Sequence, residues 1–295
     1  MSRLARAAIG TVAAGAGAVA YGCLYEVNAF TLRRFTVPVL DPGTRPLRLL
    51  HLSDLHLLPT HARKIAWVRE LARLRPDLVI NTGDTWASAD ALDSVMDALR
   101  PLMAFPGAFV PGNSDYWTPR PKNPARYFRP AHGIPRAVPL PWPDLARAMS
   151  DGGWLDLTHV RTSIDVAGVP VALTGLDDPH LRRARYSQVA GAAPGEAAVR
   201  IGVLHSPEPD LLGAFAGDGY DLALAGHTHG GQVRIPFGPA VVTNCGIDVH
   251  RARWLHRWDE HMWFHVCAGL GTNPYLPIRF GCRPEASLLT LVPRG

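Results

Sequence analysis

The sequence predicts an α/β fold. Short apolar runs of strand character alternate with stretches whose apolar residues recur at helical spacing, and chemistry-bearing polar residues follow directly on the runs. An apolar fraction of 47% over 295 residues is ample for a substantial core. The formal charge of +5 is carried almost wholly by arginine, because Lys64 and Lys122 are the only lysines. That mild basicity suits an anionic substrate or a lipid headgroup and is too diffuse to argue for nucleic acid, so no nucleic-acid partner is expected. Cys23, Cys245, Cys267 and Cys282 show neither CxxC spacing nor the density of a secreted disulfide scaffold.

After Arg3 and Arg6, residues Ala7 to Tyr25 run for nineteen positions without a charge. As a helix rising about 1.5 Å per residue, this segment approaches the roughly 30 Å of a bilayer core. Residues 1–28 are therefore expected to form a membrane anchor, with cleavage as a signal segment after "AVA" at Ala18–Ala20 as the alternative. Arg3 and Arg6 on one side face Arg33, Arg34, Arg45 and Arg48 on the other, so the positive-inside rule assigns no orientation. Residues 29–46, with Pro38, Pro42, Gly43 and Pro46, read as a linker.

From residue 47 to 292 the alternation is regular. "LRLLHL" is a strand, and "HARKIAWVRELARL" places Ile65, Val68, Leu71 and Ala72 on one helical face. "DLVINTGD" is the next strand; "DALDSVMDALRPL" then stacks Leu92, Val95, Met96 and Leu99, and "GAFVPG" follows as a strand. Eight prolines between residues 116 and 143 predict a loop lying over the body. "VPVALTGL", "AAVRIGVLH", "YDLALAG", "WFHVCAGLG" and "ASLLTLV" read as further strands, with a helix opened by Ser206 as N-cap and Pro207 at its first position.

Placed on this map, Asp54 and His56 follow the first strand, Asp84 the second and Asn113 the third. His205 ends a later strand, and His227 and His229 follow "DLALAG". Loops leaving the C-terminal ends of parallel strands converge, and ligand sites form there. Three carboxylate or amide groups and four imidazoles are too many for one tetrahedral ion. They suit two divalent ions sharing a carboxylate, with a mixed N and O donor set that fits Mn, Fe or Zn better than Ca or Mg. An isolated histidine such as His61, His132 or His261 carries no such implication. A simple turn would explain Gly230 and Gly231 without explaining two imidazoles one residue apart.

The blocks "DLH" (54–56), "GD" (83–84), "GNSD" (112–115), "LH" (204–205) and "GHTHGGQ" (226–232), in this order and each after a strand, resemble the signature of the calcineurin-like metallophosphoesterases. The N-terminal anchor, "GHTHGGQVRIPF" and "GLGTNPYLPIRFGCRPE" narrow the resemblance to a bacterial membrane-associated phosphodiesterase branch. The resemblance implies a two-sheet sandwich flanked by helices, in four α/β/β/α layers. It further implies that Asp54, His56 and His229 hold one ion, that Asn113, His205 and His227 hold the second, and that Asp84 bridges them. Asp54, Asp84, Asn113 and His227 are the catalytic set by the same comparison. Two such ions clamp a phosphate and generate a bridging hydroxide for attack on phosphorus.

The sequence departs from the family pattern at Ser114, where most relatives carry a histidine that hydrogen-bonds the transferred phosphoryl oxygen or protonates the departing group. Losing one such donor costs roughly 10²- to 10³-fold in rate. Two expectations follow. The first is a slow or substrate-restricted phosphodiesterase or pyrophosphatase, with His132 or His180 standing in for the missing donor. The second is a metal-binding pseudoenzyme. Substrate contacts are expected from Ser114, Arg120, Arg126, Arg182 and Arg183, since the segment between Asp115 and Asp144 is free of acidic residues and interleaves arginine with aromatic rings. With the anchor, these features favour a lipid-linked or nucleotide-lipid phosphoester as substrate, and the resemblance extends to hydrolases of UDP-2,3-diacylglucosamine.

Overall fold

The computed structural model describes residues 2–121, 137–236 and 238–295. In chain order the elements are α1 (Arg3–Ala20), β1 (Thr31–Leu40), β2 (Leu47–Leu52), α2 (Ala62–Glu70), β3 (Leu78–Asn81), α3 (Leu92–Leu99), β4 (Gly107–Phe109), α4 (Asn113–Tyr116), α5 (Trp142–Asp151), β5 (Trp154–Asp156), β6 (Arg161–Val166), β7 (Val169–Gly175), β8 (Val199–Val203), α6 (Pro209–Gly217), β9 (Leu222–Ala225), β10 (Trp254–Arg257), β11 (Trp263–Val266) and β12 (Glu285–Pro293).

Side-chain alternation decides the layering. In β2, Leu47 and Leu49 point to one face and Leu50 and Leu52 to the other, and all four are buried, so the strand is covered on both sides. Leu78 and Ile80 of β3 share the first face with Leu289 and Leu291 of β12, while Val79 and Leu288 share the second. One six-stranded sheet, ordered β1-β12-β2-β3-β4-β5, thus stands against another ordered β10-β11-β9-β8-β7-β6. The inner faces interlock through residues such as Leu49 and Ile80 on one side and Val171, Ile201 and Leu224 on the other. Helices α2, α3 and α5 cover the outer face of the first sheet with Ile65, Val68, Val95, Leu99, Leu145 and Met149. Helix α6 covers the second with Leu212 and Phe215, which pack on Ala223 and Phe264. The architecture is the four-layer α/β/β/α sandwich.

Three sequence expectations need correction. Residues 31–40, read as linker, form the ten-residue strand β1, paired in parallel with β12 along its length. Pro38 is tolerated because β1 lies at the sheet edge, where a missing N–H breaks no ladder. The helix after His205 begins not at Pro207 but at Pro209, which takes the N-terminal position; Ser206 Oγ donates to Glu208 instead of capping. The Pro-rich loop ends one residue before Trp142, where α5 starts with Pro143 inside its first turn; Lys122–Arg136 of that loop lie outside the described residues.

Helix α1 continues through a π turn (Tyr21–Tyr25) and a short 3-10 turn (Glu26–Asn28), so that 26 residues form one N-terminal helical rod. It is long and apolar enough to cross a membrane, and Leu4, Val12 and Leu24 are largely exposed along it. Its foot is tied to the domain. Glu26, 2% exposed, accepts from the backbone N–H groups of Gly281 and Cys282, and Arg279 N donates to Gly22 O at 3.2 Å.

Candidate metal centre

The seven candidate ligands all lie just past the C-terminal ends of strands β2, β3, β4, β8 and β9, on one edge of the sandwich. Five of them, Asp54, His56, Asp84, His227 and His229, have φ between 41° and 65°. Left-handed backbone is uncommon for residues with side chains and persists only where the surroundings over-determine it. Here it turns the side chains of successive loops inward. Gly112 and Gly226 permit the approach: a Cβ on Gly112 would meet Asp84 Oδ1 and His205 Cε1, and one on Gly226 would meet Ser53 Oγ and Asp54 Oδ2.

Asp54, His56, Asp84 and His229 each bring one ligand atom to within 4.8 Å of all the others. His56 Nε2 is 3.3 Å from both Asp84 Oδ2 and His229 Nε2, and His229 Nε2 is 3.4 Å from Asp54 Oδ1. On the other side of Asp84, His205 Nε2 is 3.5 Å from Oδ1 and 3.3 Å from His227 Nδ1. Gly112, the residue before Asn113, packs between Asp84 and His205. Asp84 is therefore the group both clusters share.

The donor chemistry fits cations. Asp54 Oδ1 and Asn113 Oδ1 are buried acceptors without a hydrogen-bond partner, an arrangement that native interiors rarely tolerate unless an ion or water completes it. Three imidazoles have one nitrogen facing a carbonyl, which turns the other toward the site: His205 Nδ1 donates to Thr82 O (2.7 Å), His229 Nδ1 to Gly271 O (3.0 Å) and His227 Nε2 to Asn244 O (3.3 Å). Burial holds His56 down at about 4, and it pushes His227 and His229 well below the usual histidine range, so these rings are neutral at pH 7, as metal binding requires. Burial also raises Asp54 to about 6. At the shared position the balance reverses. Burial would raise the Asp84 carboxyl, but the charge and hydrogen bond of His205 outweigh it and hold Asp84 well below the ordinary range. The same attraction lifts His205 well above its usual value against burial. Such a mutually stabilised pair marks a spot that favours positive charge.

Supporting residues surround these ligands; Asp115 closes the "GNSD" block and orients its loop through backbone bonds, whereas the others left no sequence signal. The Asp115 carboxylate accepts from the backbone N–H groups of Asp84, Thr85 and Gly112 at 2.8–2.9 Å and so clamps the two loops that carry Asp84 and Asn113. A buried polar chain runs from the inter-sheet core to Asp54: His265 Nδ1 to His51 Nδ1 (2.9 Å), His51 Nε2 to Thr82 Oγ1 (3.0 Å), Thr82 Oγ1 to Ser53 Oγ (2.7 Å), and Ser53 Oγ to Asp54 Oδ2 (2.6 Å). Arg279, fully buried, donates through Nη2 to the carbonyls of Ala268, Gly269 and Gly271, the last of which also receives His229 Nδ1–H. The "PIRFGC" stretch enters the sequence reading only through the resemblance.

The expected substrate contacts fare differently. Ser114 is committed to Asp84, its N–H donating to Oδ1 (2.6 Å) and its hydroxyl to Oδ2 (3.0 Å). Arg183 donates to Asp177 (3.0 Å) and lies 4.1 Å over the Tyr116 ring, whose hydroxyl also donates to Asp177; it locks two loops together rather than pointing free. Arg182 is exposed and Arg120 half-buried, while Arg126 and His132 lie outside the described residues. The exposed His180 has its ring against that of His227, with centroids 4.5 Å apart.

Comparison with known proteins agrees with this edge. A profile described as Calcineurin-like phosphoesterase matches residues 47–231. The chain is 25% identical over 303 residues to Phosphodiesterase YaeI of Escherichia coli (strain K12), covering 98% of each chain. It is 26% identical over 275 residues to the metallophosphoesterase YkuE of Bacillus subtilis (strain 168), covering 91% of this chain and 86% of YkuE. It is also 27% identical over 275 residues to a transmembrane protein with metallophosphoesterase domain from Danio rerio, covering 86% of this chain and 56% of that one.

Proposed function

The chain belongs to the calcineurin-like phosphoesterase family, and from that premise we propose that it is a two-metal phosphodiesterase acting on a phosphoester carried by a membrane lipid. The observation that carries the reading is the convergence on Asp84 of two donor groups, with the buried oxygens Asp54 Oδ1 and Asn113 Oδ1 left unpartnered beside them. Asp54, His56 and His229 would hold one divalent ion, Asn113, His205 and His227 the other, and Asp84 both. When bound, the ions supply Lewis-acid polarisation of phosphoryl oxygens and a water that ionises near neutral pH.

The chain's own residues do the rest. Ser53, with the chain of hydroxyls and imidazoles behind it, fixes the carboxylate plane of Asp54, and Ser114 fixes that of Asp84. The carbonyls of Thr82, Gly271 and Asn244 fix the tautomers of His205, His229 and His227. The membrane part of the proposal rests on the exposed apolar rod of residues 3–28 and on the transmembrane relative.

One observation favours a second reading. The Ser114 hydroxyl is turned onto Asp84, so position 114 presents no donor of its own to a departing oxygen. On that reading the site holds metal as a scaffold. Turnover of bis(p-nitrophenyl) phosphate by the full chain with Mn²⁺, beside Asp84→Asn, separates the two: an enzyme hydrolyses the diester and the variant does not, whereas a scaffold binds Mn²⁺ and is as inert as the variant. Hydrolysis of a phospholipid diester in mixed micelles in preference to its water-soluble headgroup analogue would then support the lipid substrate, and equal rates would remove it.

A further inference from the structure

At the foot of the N-terminal rod lies a second polar feature, separate from the metal centre. A cleft of about 400 Å³ opens there between Tyr21, Trp254 and Phe280, with Arg33, Arg253 and Arg283 in its walls. The guanidinium of Arg253 lies over Trp254, its Cζ 4.0 Å from the ring centroid, and donates through Nη1 to Gly281 O at 3.2 Å, while its Nε is buried without a partner. Arg283 is exposed. The acidic side chains nearby are already committed: Glu26 to the N–H groups of Gly281 and Cys282, and Glu285 to Arg33 and Trp254. The cleft is therefore cationic at its mouth.

Its surroundings are apolar. Tyr21 stacks edge-on against Phe280 (6.2 Å) and packs on Tyr25 (5.4 Å), and Leu24 and Tyr25 are exposed beside it. Pro236 lines the cleft, and the loop that carries it exposes Ile235 and Val241. Eighteen residues of α1 span about 27 Å at 1.5 Å per residue, close to a bilayer core of about 30 Å. A rod crossing a membrane thus leaves Tyr21 and Tyr25 at the depth where aromatic belts sit, and the arginines at the depth of lipid phosphates.

From this we infer that the cleft holds the phosphate of an anionic phospholipid, with Arg253 and Arg283 as its cationic contacts and Trp254 and Tyr21 flanking the glycerol. The inference rests on reading residues 3–28 as a membrane anchor. The segment Arg279–Cys282 is the wall between the two sites, since Gly281 O faces Arg253 while Cys282 Sγ donates to His229 O at 3.3 Å. A lipid in the cleft therefore seats the metal-binding edge on the headgroup layer.

The test uses the full chain in detergent, kept metal-free so that no ester is consumed, titrated calorimetrically with dihexanoyl phosphatidylglycerol, dihexanoyl phosphatidylcholine and inorganic phosphate. Phosphatidylglycerol is expected to bind about tenfold more tightly than phosphatidylcholine, and R253Q/R283Q to lose about 30-fold in that affinity. Its Mn²⁺-dependent turnover of a soluble diester should stay within twofold of wild type. R283Q alone, at an exposed position, should show a partial loss and guards against misfolding of the double variant. Equal affinity for both lipids, equal affinity for inorganic phosphate, or unchanged binding by the double variant would each overturn the proposal. Extraction of membranes with alkaline carbonate tests the anchor separately. A wild type that washes off ends both readings, whereas a retained wild type whose variant still binds phosphatidylglycerol ends only this one.

Discussion

The two sheets contribute unlike halves to one site. Loops of the first carry Asp54, His56, Asp84 and Asn113, mostly oxygen donors, and these are oriented by N–H and O–H groups: Ser53 and the His227 N–H on Asp54, Ser114 on Asp84. Loops of the second carry His205, His227 and His229, all nitrogen donors, oriented by backbone carbonyls. Each half thus supplies what the other lacks, carboxylate and amide oxygens from one and imidazole nitrogens from the other. The difference also predicts how each half fails. The oxygen half depends on individual donors, and the nitrogen half on the loop backbone that presents the carbonyls.

Asp84→Asn breaks the comparison outright, because it removes the one group both halves share. Loss of several kcal/mol of charge stabilisation corresponds to a fall in Mn²⁺-dependent turnover on the order of 10³-fold, read in a steady-state assay. Arg279→Met strikes only the nitrogen half. It releases the carbonyl of Gly271 that orients His229, and Mn²⁺ affinity measured by calorimetry should fall roughly 10- to 100-fold. An unchanged affinity would mean that the imidazoles hold their own orientation.

Acid should strike the oxygen half through its buried support. His51 is held down at about 3 by burial, so the unfolded chain takes up the proton first as pH falls below about 6.5. The stability is present above that pH and is lost on the way down toward 3, at about 1.4 kcal/mol per pH unit for this group. Urea titrations of the metal-free protein at pH 7 and 5 should show the loss, and His51→Leu should make it smaller by this group's share, the other buried histidines keeping theirs. Ser114→Ala sharpens the comparison with the smallest step. Removing one hydroxyl from Asp84 costs about 1 kcal/mol, a several-fold drop in rate with the nitrogen half untouched.

Much of this was legible in the sequence because buried strands are continuous apolar runs and the polar residue that ends each one is conspicuous. Asp84 after "LVIN" and His227 after "LALA" are clear instances. Strand β1 was not legible, since Arg33, Arg34 and Pro38 disguise an edge strand as a linker. The helix start was displaced because Pro207 and Pro209 satisfy the same N-terminal rule and only packing chooses between them. Arg279 was hidden for a different reason. Its partners are carbonyl groups, which every residue possesses, so no side-chain pattern announces them. The His51–His265 contact joins positions 214 residues apart, and neither neighbourhood hints at the other.

The attachment of Glu26 to Gly281 and Cys282 bears on how the protein can be trimmed. A fragment starting at residue 29 or 47 would keep every candidate ligand yet strand two amide donors on the very turn whose guanidinium steadies His229. The leading 28 residues thus brace the turn beside the candidate site, and shortening the chain for convenience is expected to disturb that site some distance from the cut.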